Sequence, residues 1–415
     1  MPSAEVVARP GRRSGPLRLV REAPRLSGEA GTAPGDRKFR PDVEGLRAVA
    51  IALVVLYHAG VGPFSGGYVG VDVFFVISGF VITGLLLRER ASTGRTSLRA
   101  FYGRRARRIL PAATLVIVVT LLASYHYLGF LRGDAIAGDA RSAALFVANF
   151  HFSALGTNYL SSQQPPSPLQ NFWSLSVEEQ FYVVYPSLFL LVAATSRNRP
   201  VTRRLAVVLV AIIAASFVWS IQQTATSPTL AYFSPLTRAW ELALGALVAL
   251  GTPYLARVPR VLAATMSWVG LGAVAFAAVV FNGATAYPGS SVALPVLGTA
   301  AIIAAGASQP RFGAEVVLGL RPFQVLGLLS YSLYLWHWPL LALAAQAAGH
   351  SLSVGENLPW VLMALVVAAV SYRFVENPIR RSAALARLRF ASLGLGGALI
   401  GVTMLAAALE IGAHP

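Results

Sequence analysis

Long apolar runs alternate along the chain with short breaks that are rich in arginine or in glycine and proline. Stretches apolar enough to cross a bilayer, which takes roughly 17–25 helical residues, recur at 43–60, 71–87, 109–128, 175–195, 205–222, 237–251, 261–281, 293–308, 323–347, 359–378 and 390–410. Two of them, 237–251 and 293–308, are short. The pattern therefore predicts an all-α fold, a polytopic transmembrane helix bundle of about ten or eleven spans. The first forty residues hold Gly, Pro, Ser and nine basic residues without apolar periodicity, and they read as a disordered basic tail. The tail lacks the apolar core of a signal peptide, so the first span reads as retained.

Composition agrees with this reading. The chain is 55% hydrophobic and 12% charged, with a positive mean hydropathy, which takes it out of the soluble globular class. A net charge of +17 would point to nucleic acid in a soluble protein. Here the positive-inside rule and anionic membrane lipid account for it, so lipid is an expected partner and nucleic acid is not. Most of the 34 Lys and Arg residues fall in the tail, between Arg88 and Arg108, and in alternate later loops. That asymmetry places the N-terminus in the cytoplasm. Cysteine is absent, which excludes disulfides, thiolate metal sites and an acyl-cysteine intermediate. The six histidines have no zinc-like spacing, and no metal site is expected.

Two costly side chains share the first span. Arg47 and His58 would each cost about 3 kcal/mol inside hydrocarbon. They stand eleven residues apart, three helical turns, so they share one face with about 16 Å of axial rise between them. Five carboxylates, Asp72, Glu178, Glu179, Glu241 and Glu376, also lie in or at the ends of spans. In the assigned topology the first four sit at outer ends, at the level of His58. Ser176 and Glu179 have capping-box spacing, and Arg238 with Glu241 and Arg373 with Glu376 have the i,i+3 spacing of neutralising pairs. Asp72 follows a glycine-rich turn, Ser65 to Gly70, that makes the first two spans neighbours. Its carboxylate can thereby approach His58 and fix the imidazole tautomer.

Eight arginines crowd the segment from Arg88 to Arg108. They suit a topology anchor that also binds lipid phosphate. Beside Arg47 they equally suit a grip on a phosphorylated cytosolic substrate, because guanidinium pairs bidentately with phosphate. A phosphate-bearing donor inside and a base outside imply transfer across the membrane.

Several segments together resemble the acyltransferase-3 family of membrane proteins: Phe39 to Ala50, the Arg-x10-His pair, Gly70 to Phe80, Arg104 to Pro111, Phe172 to Tyr182, Arg238 to Leu242, Ser330 to Pro339, and Glu376-Asn377-Pro378. The matches run in order through a transmembrane domain at 41–381, leaving 1–40 as the tail and 382–415 as the last span with a short end. The resemblance implies an enzyme of the bacterial cytoplasmic membrane that moves an acyl group, often acetyl, from cytoplasmic acyl-CoA to a hydroxyl of a surface carbohydrate or glycolipid. Some relatives acylate small metabolites instead. Acyl-CoA would be the donor substrate, with no permanently bound cofactor.

The resemblance also distributes roles. It makes the Arg47 and His58 pair the functional signature; by the chemistry of the residues themselves, His58 would be the general base or the first acyl acceptor, oriented by Asp72 or Glu178. Arg47, Arg104, Arg105, Arg107 and Arg108 would hold acyl-CoA. Trp173, Tyr334 and His337 lie in the matched segments as candidates for substrate contact. For His337 the flanking Trp336 and Trp338 fit an interfacial belt equally well. Many bacterial members continue into an extracytoplasmic SGNH-type domain. This sequence stops just past its last span and has no Gly-Asp-Ser motif, so it reads either as a stand-alone acyltransferase or as a fragment of a longer chain. A transporter or flippase is the competing class, since intramembrane charge also marks substrate pathways. Inverted repeats would favour it, and none is visible.

Overall fold

The computed structural model describes residues 40–156, 165–196, 201–388 and 390–413. The basic tail through residue 39 lies outside them. The described residues are helical with no strand. In chain order the helices are α1 (Pro41–His58), α2 (Gly70–Thr93), α3 (Leu98–Leu128), α4 (Phe130–Ala144), α5 (Ala148–Ala154), α6 (Phe172–Thr195), α7 (Val201–Thr226), α8 (Pro228–Phe233) and α9 (Pro235–Leu255). They continue with α10 (Arg260–Val280), α11 (Ala293–Ala305), α12 (Glu315–Leu318), α13 (Arg321–Ala348), α14 (Val354–Ser371), α15 (Asn377–Arg381), α16 (Ala383–Arg387) and α17 (Ala391–Ala413).

Each of the eleven apolar stretches is helical, but only seven described helices are long and apolar enough to cross a membrane. The count of ten or eleven is not reproduced by that measure. α1, α9 and α13 fall short because they are interior helices that can carry polar side chains, among them Asp42, Glu44, Arg47, Arg238, Glu241 and His337. α11 has only 13 residues. Burial separates interior from periphery: 67% of the most apolar window around α2 is buried, against 22% for α7 and 17% for α14.

Close approach of the interior helices rests on glycine. A Cβ on Gly79 would collide with the carbonyl oxygen of Leu242, and one on Gly245 with that of Val76. α2 and α9 are thus antiparallel at backbone contact, as small residues permit where helices pack in apolar surroundings. Gly70 at the start of α2 and Gly67 in the turn before it similarly sit against the carbonyls of Ala50 and Leu53 of α1. On the other side Gly327 of α13 abuts the carbonyl of Glu44, while further along His337 meets His58. α1 and α13 therefore run parallel.

One buried ion cluster ties this interior together. Arg238 on α9 reaches Asp72 on α2 at 2.7 Å and Glu241 at 3.3 Å, all three nearly inaccessible. The Tyr287 hydroxyl donates to the second Asp72 oxygen. The rings of Trp173, Tyr232 and Tyr287 stand 5.2–5.6 Å from the guanidinium. The expected Arg238–Glu241 pair is present, and it is joined by Asp72, which the sequence assigned to His58.

Two local expectations need correction. Ser176 does not cap α6, because that helix already starts at Phe172. Its hydroxyl instead donates to the Phe172 carbonyl and accepts from the Ala148 amide. Glu376 pairs with Arg380 at 3.8 Å rather than with Arg373, whose guanidinium lies over Phe374. A π-turn at Tyr372–Glu376 widens the helix there and rotates residue 376 away from the i,i+3 position.

Substitution of Gly245 by leucine should abolish folded protein or sharply lower its melting temperature, since backbone atoms cannot yield. Gly272→Leu on α10, where a Cβ meets nothing, should leave thermal stability in detergent unchanged. Arg238→Met should cost about 3–5 kcal/mol, the loss expected when a buried ion pair keeps its carboxylates and loses its cation. A denaturation curve measures it.

Candidate active site

The arginine-rich segment is helix rather than loop. α2 continues to Thr93 and ends on Gly94 in the left-handed region, φ 68°. Ser97 then caps α3 by accepting from the Ala100 amide at 3.2 Å. The 31 residues of α3 span about 46 Å, more than the ~30 Å of a hydrocarbon core. Its first turns can carry charge because they exceed that thickness.

Helical phase sorts those arginines. Arg104 pairs with Glu89 at 2.7 Å on the exposed side, and Arg107 donates to the Ser382 carbonyl at 3.3 Å. Arg105 turns inward to Glu179 at 2.6 Å and Glu178 at 3.5 Å, with the Tyr182 ring 3.8 Å from its guanidinium. Arg108 lies within electrostatic reach of Arg47, Arg105, Arg380 and Glu376. Among the described residues, Arg47 is paired with Glu44 at 3.3 Å and Arg380 with Glu376, whereas Arg108 makes no hydrogen bond or ion pair. So Arg47, Arg105 and Arg108 do meet as the sequence predicts, and Arg104 and Arg107 face elsewhere. The guanidinium of Arg108 is half-buried.

Three turns further along α1, His58 closes the helix. Its Nδ1 is 3.0 Å from Nε2 of His337, and the two rings stack with centroids 5.2 Å apart. The Trp338 ring lies 4.5 Å from that of His58. His337 is fully buried, and its Nδ1 is 3.1 Å from the Leu333 carbonyl oxygen. Tyr334 stands 5.6 Å from the His337 ring, and its hydroxyl is 2.6 Å from Ser174 Oγ and donates to the Asn171 carbonyl at 3.0 Å.

The two expected orienting carboxylates are not at His58. Asp72 is engaged by Arg238 and Tyr287. Glu178 accepts from Ser78 and Tyr182, each at 2.7 Å, and faces Arg105. The start of α6 at Phe172 puts Glu178 two turns into the helix, in the arginine cluster rather than beside the imidazole. Trp173 is a buried core residue, packed against Tyr232 at 4.7 Å and Phe233 at 5.6 Å.

Sequence reasoning passed over Tyr331, Ser332 and Arg380. Tyr331 donates to the Ile109 carbonyl, and Ser332 to Glu376 at 2.7 Å. Tyr331, Tyr334 and Trp338 recur at i, i+3 and i+7, a single helix face, and that spacing was the available signal. The face links the arginine cluster to the histidines. Among the described residues no group of His, Asp and Glu is arranged to hold a metal ion.

Comparison with known proteins matches this sequence to a family. The model of the acyltransferase domain covers residues 40–374, which include α1, α13, the His58–His337 pair and Arg47, Arg105 and Arg108. The chain is 32% identical to the peptidoglycan O-acetyltransferase OatA of Listeria monocytogenes, over 83% of this chain and 56% of that protein. It is 32% identical to the putative peptidoglycan O-acetyltransferase YrhL of Bacillus subtilis, over 83% and 55%, and 29% identical to the O-acetyltransferase OatA of Staphylococcus aureus, over 83% and 58%. The chain thus spans little more than half the length of these relatives. No solved structure matches it. By the extent of that match and the residues it encloses, the chain belongs to the acyltransferase-domain family of membrane proteins, the acyltransferase-3 group that its motifs resemble.

Proposed function

We propose that the protein is a membrane O-acyltransferase that moves an acyl group, acetyl in the simplest case, from acyl-CoA to a carbohydrate hydroxyl of the cell wall. The observation that supports this reading is the placement of His58, hydrogen-bonded to His337, and Arg47 at opposite ends of one face of α1, with Arg108 of α3, which has no ion pair among the described residues, within electrostatic reach of Arg47. The names of the relatives favour peptidoglycan as acceptor, and the acyltransferase domain favours a thioester donor.

In this mechanism the anionic end of acyl-CoA lies against Arg108 and Arg47, and its thioester reaches His58. The axial separation of about 16 Å suits an extended pantetheine arm. His58 Nε2 takes the proton of the acceptor hydroxyl as that oxygen attacks the thioester carbonyl. The C–S bond then breaks, and the imidazolium returns the proton to the departing thiolate, giving the ester and free coenzyme A. A base so placed supplies about 10² to 10⁴ in rate, and positioning supplies much of the rest. With the N-terminus cytoplasmic, the arginine end faces the donor pool and the histidine end faces the outer surface.

His58→Ala, purified as folded protein, should lower kcat for coenzyme A release by about 10²–10⁴. Turnover within a few-fold of wild type would remove His58 from the chemistry. Arg108→Gln should raise KM for acyl-CoA about tenfold or more, the worth of a charge-assisted hydrogen bond, and leave kcat nearly unchanged. An unchanged KM would exclude Arg108 from donor binding.

A further inference from the structure

We infer that His337 is the positioning residue for His58: a neutral imidazole, fixed by a backbone carbonyl, that holds the tautomer and ring angle of the base. The inference rests on the reading of His58 as base. It deepens that reading by naming what does the work expected of a carboxylate.

The direction of each hydrogen bond follows from what its partners can do. The Leu333 oxygen, 3.1 Å from His337 Nδ1, can only accept, so Nδ1 of His337 carries a proton. Neutral His337 then presents a lone pair at Nε2. That atom is 3.0 Å from His58 Nδ1, which must therefore be the donor, and the basic lone pair of neutral His58 falls on Nε2. The chain of bonds admits a single tautomer at each ring.

Its starting point is rigid. Leu333 and His337 are i and i+4 on α13, so the anchoring carbonyl lies one turn below the ring it holds. Both residues are buried, His337 completely. Trp338, the next residue of the same helix, packs on the His58 ring and donates its indole N–H to the Ser167 carbonyl at 2.9 Å. α13 thus supplies both the acceptor for His58 Nδ1 and a tilted aromatic neighbour that packs on its ring.

The arrangement parallels the orienting role of the carboxylate in Ser-His-Asp sites with one difference. A carboxylate here would be a further buried charge, expensive in this interior, while the acids within reach are already matched to Arg238 and Arg105. A second imidazole accepts the same hydrogen bond without charge. When His58 takes a proton from the acceptor, its Nδ1–H still points at the His337 lone pair.

The test compares two substitutions and one spectrum. His337→Gln retains an acceptor and should keep kcat within about tenfold, whereas His337→Leu removes the acceptor at similar volume and should lower kcat about 10²-fold or more. KM for acyl-CoA should stay within a few-fold in both, because the donor-holding arginines are untouched. Equal losses in Gln and Leu, or an active folded Leu variant, would overturn the inference. Should either variant fail to fold, nitrogen NMR of histidine-labelled wild type in lipid decides it. The signals lost in His58→Ala should report a protonated Nδ1 and a bare Nε2, and the opposite tautomer would contradict the assignment. Because the spectrum reads the pair without turnover, the expected tautomer together with an active His58→Ala protein would sink the proposed chemistry and leave the pairing intact.

Discussion

A charge removed from water inside a helix bundle must be met by another charge or by a full set of hydrogen bonds, because either one left alone costs several kcal/mol. That constraint organises the interior. Arg238 answers Asp72 and Glu241 and so fastens α9 to α2, with Tyr287 closing the cluster from the segment before α11. Arg105 answers Glu178 and Glu179 and fastens α3 to α6. Backbone contact at Gly79 and Gly245 holds α2 and α9 close enough for the first of these pairings. Against such thorough matching, the half-buried guanidinium of Arg108, with no hydrogen bond or ion pair among the described residues, stands out, which is why the proposed function gives it the donor's anionic end.

The same economy extends to the imidazole pair. α1 and α13 run parallel, in contact at Glu44 and Gly327 near one end and at His58 and His337 further along. One interface therefore connects the arginine cluster to the imidazole pair, and residues of a single α13 face line the way between them. Tyr331 touches α3, Tyr334 binds the segment that starts α6, and Trp338 rests on His58. A helix so engaged along its length is a rigid carrier, as a site requires when its reacting groups must be held to fractions of an ångström.

Much of this was legible in the sequence. The eleven apolar stretches are all helices, and the spacing of Arg47 and His58 placed them on one face of α1. The neutralising pair Arg238–Glu241 followed from i,i+3 spacing. What sequence could not supply was partnership across helices. Asp72 was expected at His58 because a short turn makes α1 and α2 neighbours. Adjacency of two helices does not fix rotation about their axes, and Asp72 turns to Arg238 instead. Glu178 lies deeper in its helix than the apolar stretch implies, because α6 begins three residues earlier, at Phe172, nearly one more turn. Glu376 escaped its expected partner through a π-turn that the local sequence does not announce. The count of ten or eleven spans is not confirmed, because a test of length and hydropathy passes seven described helices and leaves out interior ones that carry Arg47 or Glu241.

The central claim is that one helix face carries the donor's anionic end at its start and the reacting carbonyl at its end. The most direct measurement is an experimental structure of the protein in lipid with coenzyme A bound. The account predicts phosphate oxygens within hydrogen-bond distance of Arg108 and Arg47, the pantetheine arm along α1 and α13, and the sulfur beside His58 Nε2. Phosphates bound away from these arginines, or a sulfur remote from His58 in an otherwise productive complex, would contradict it.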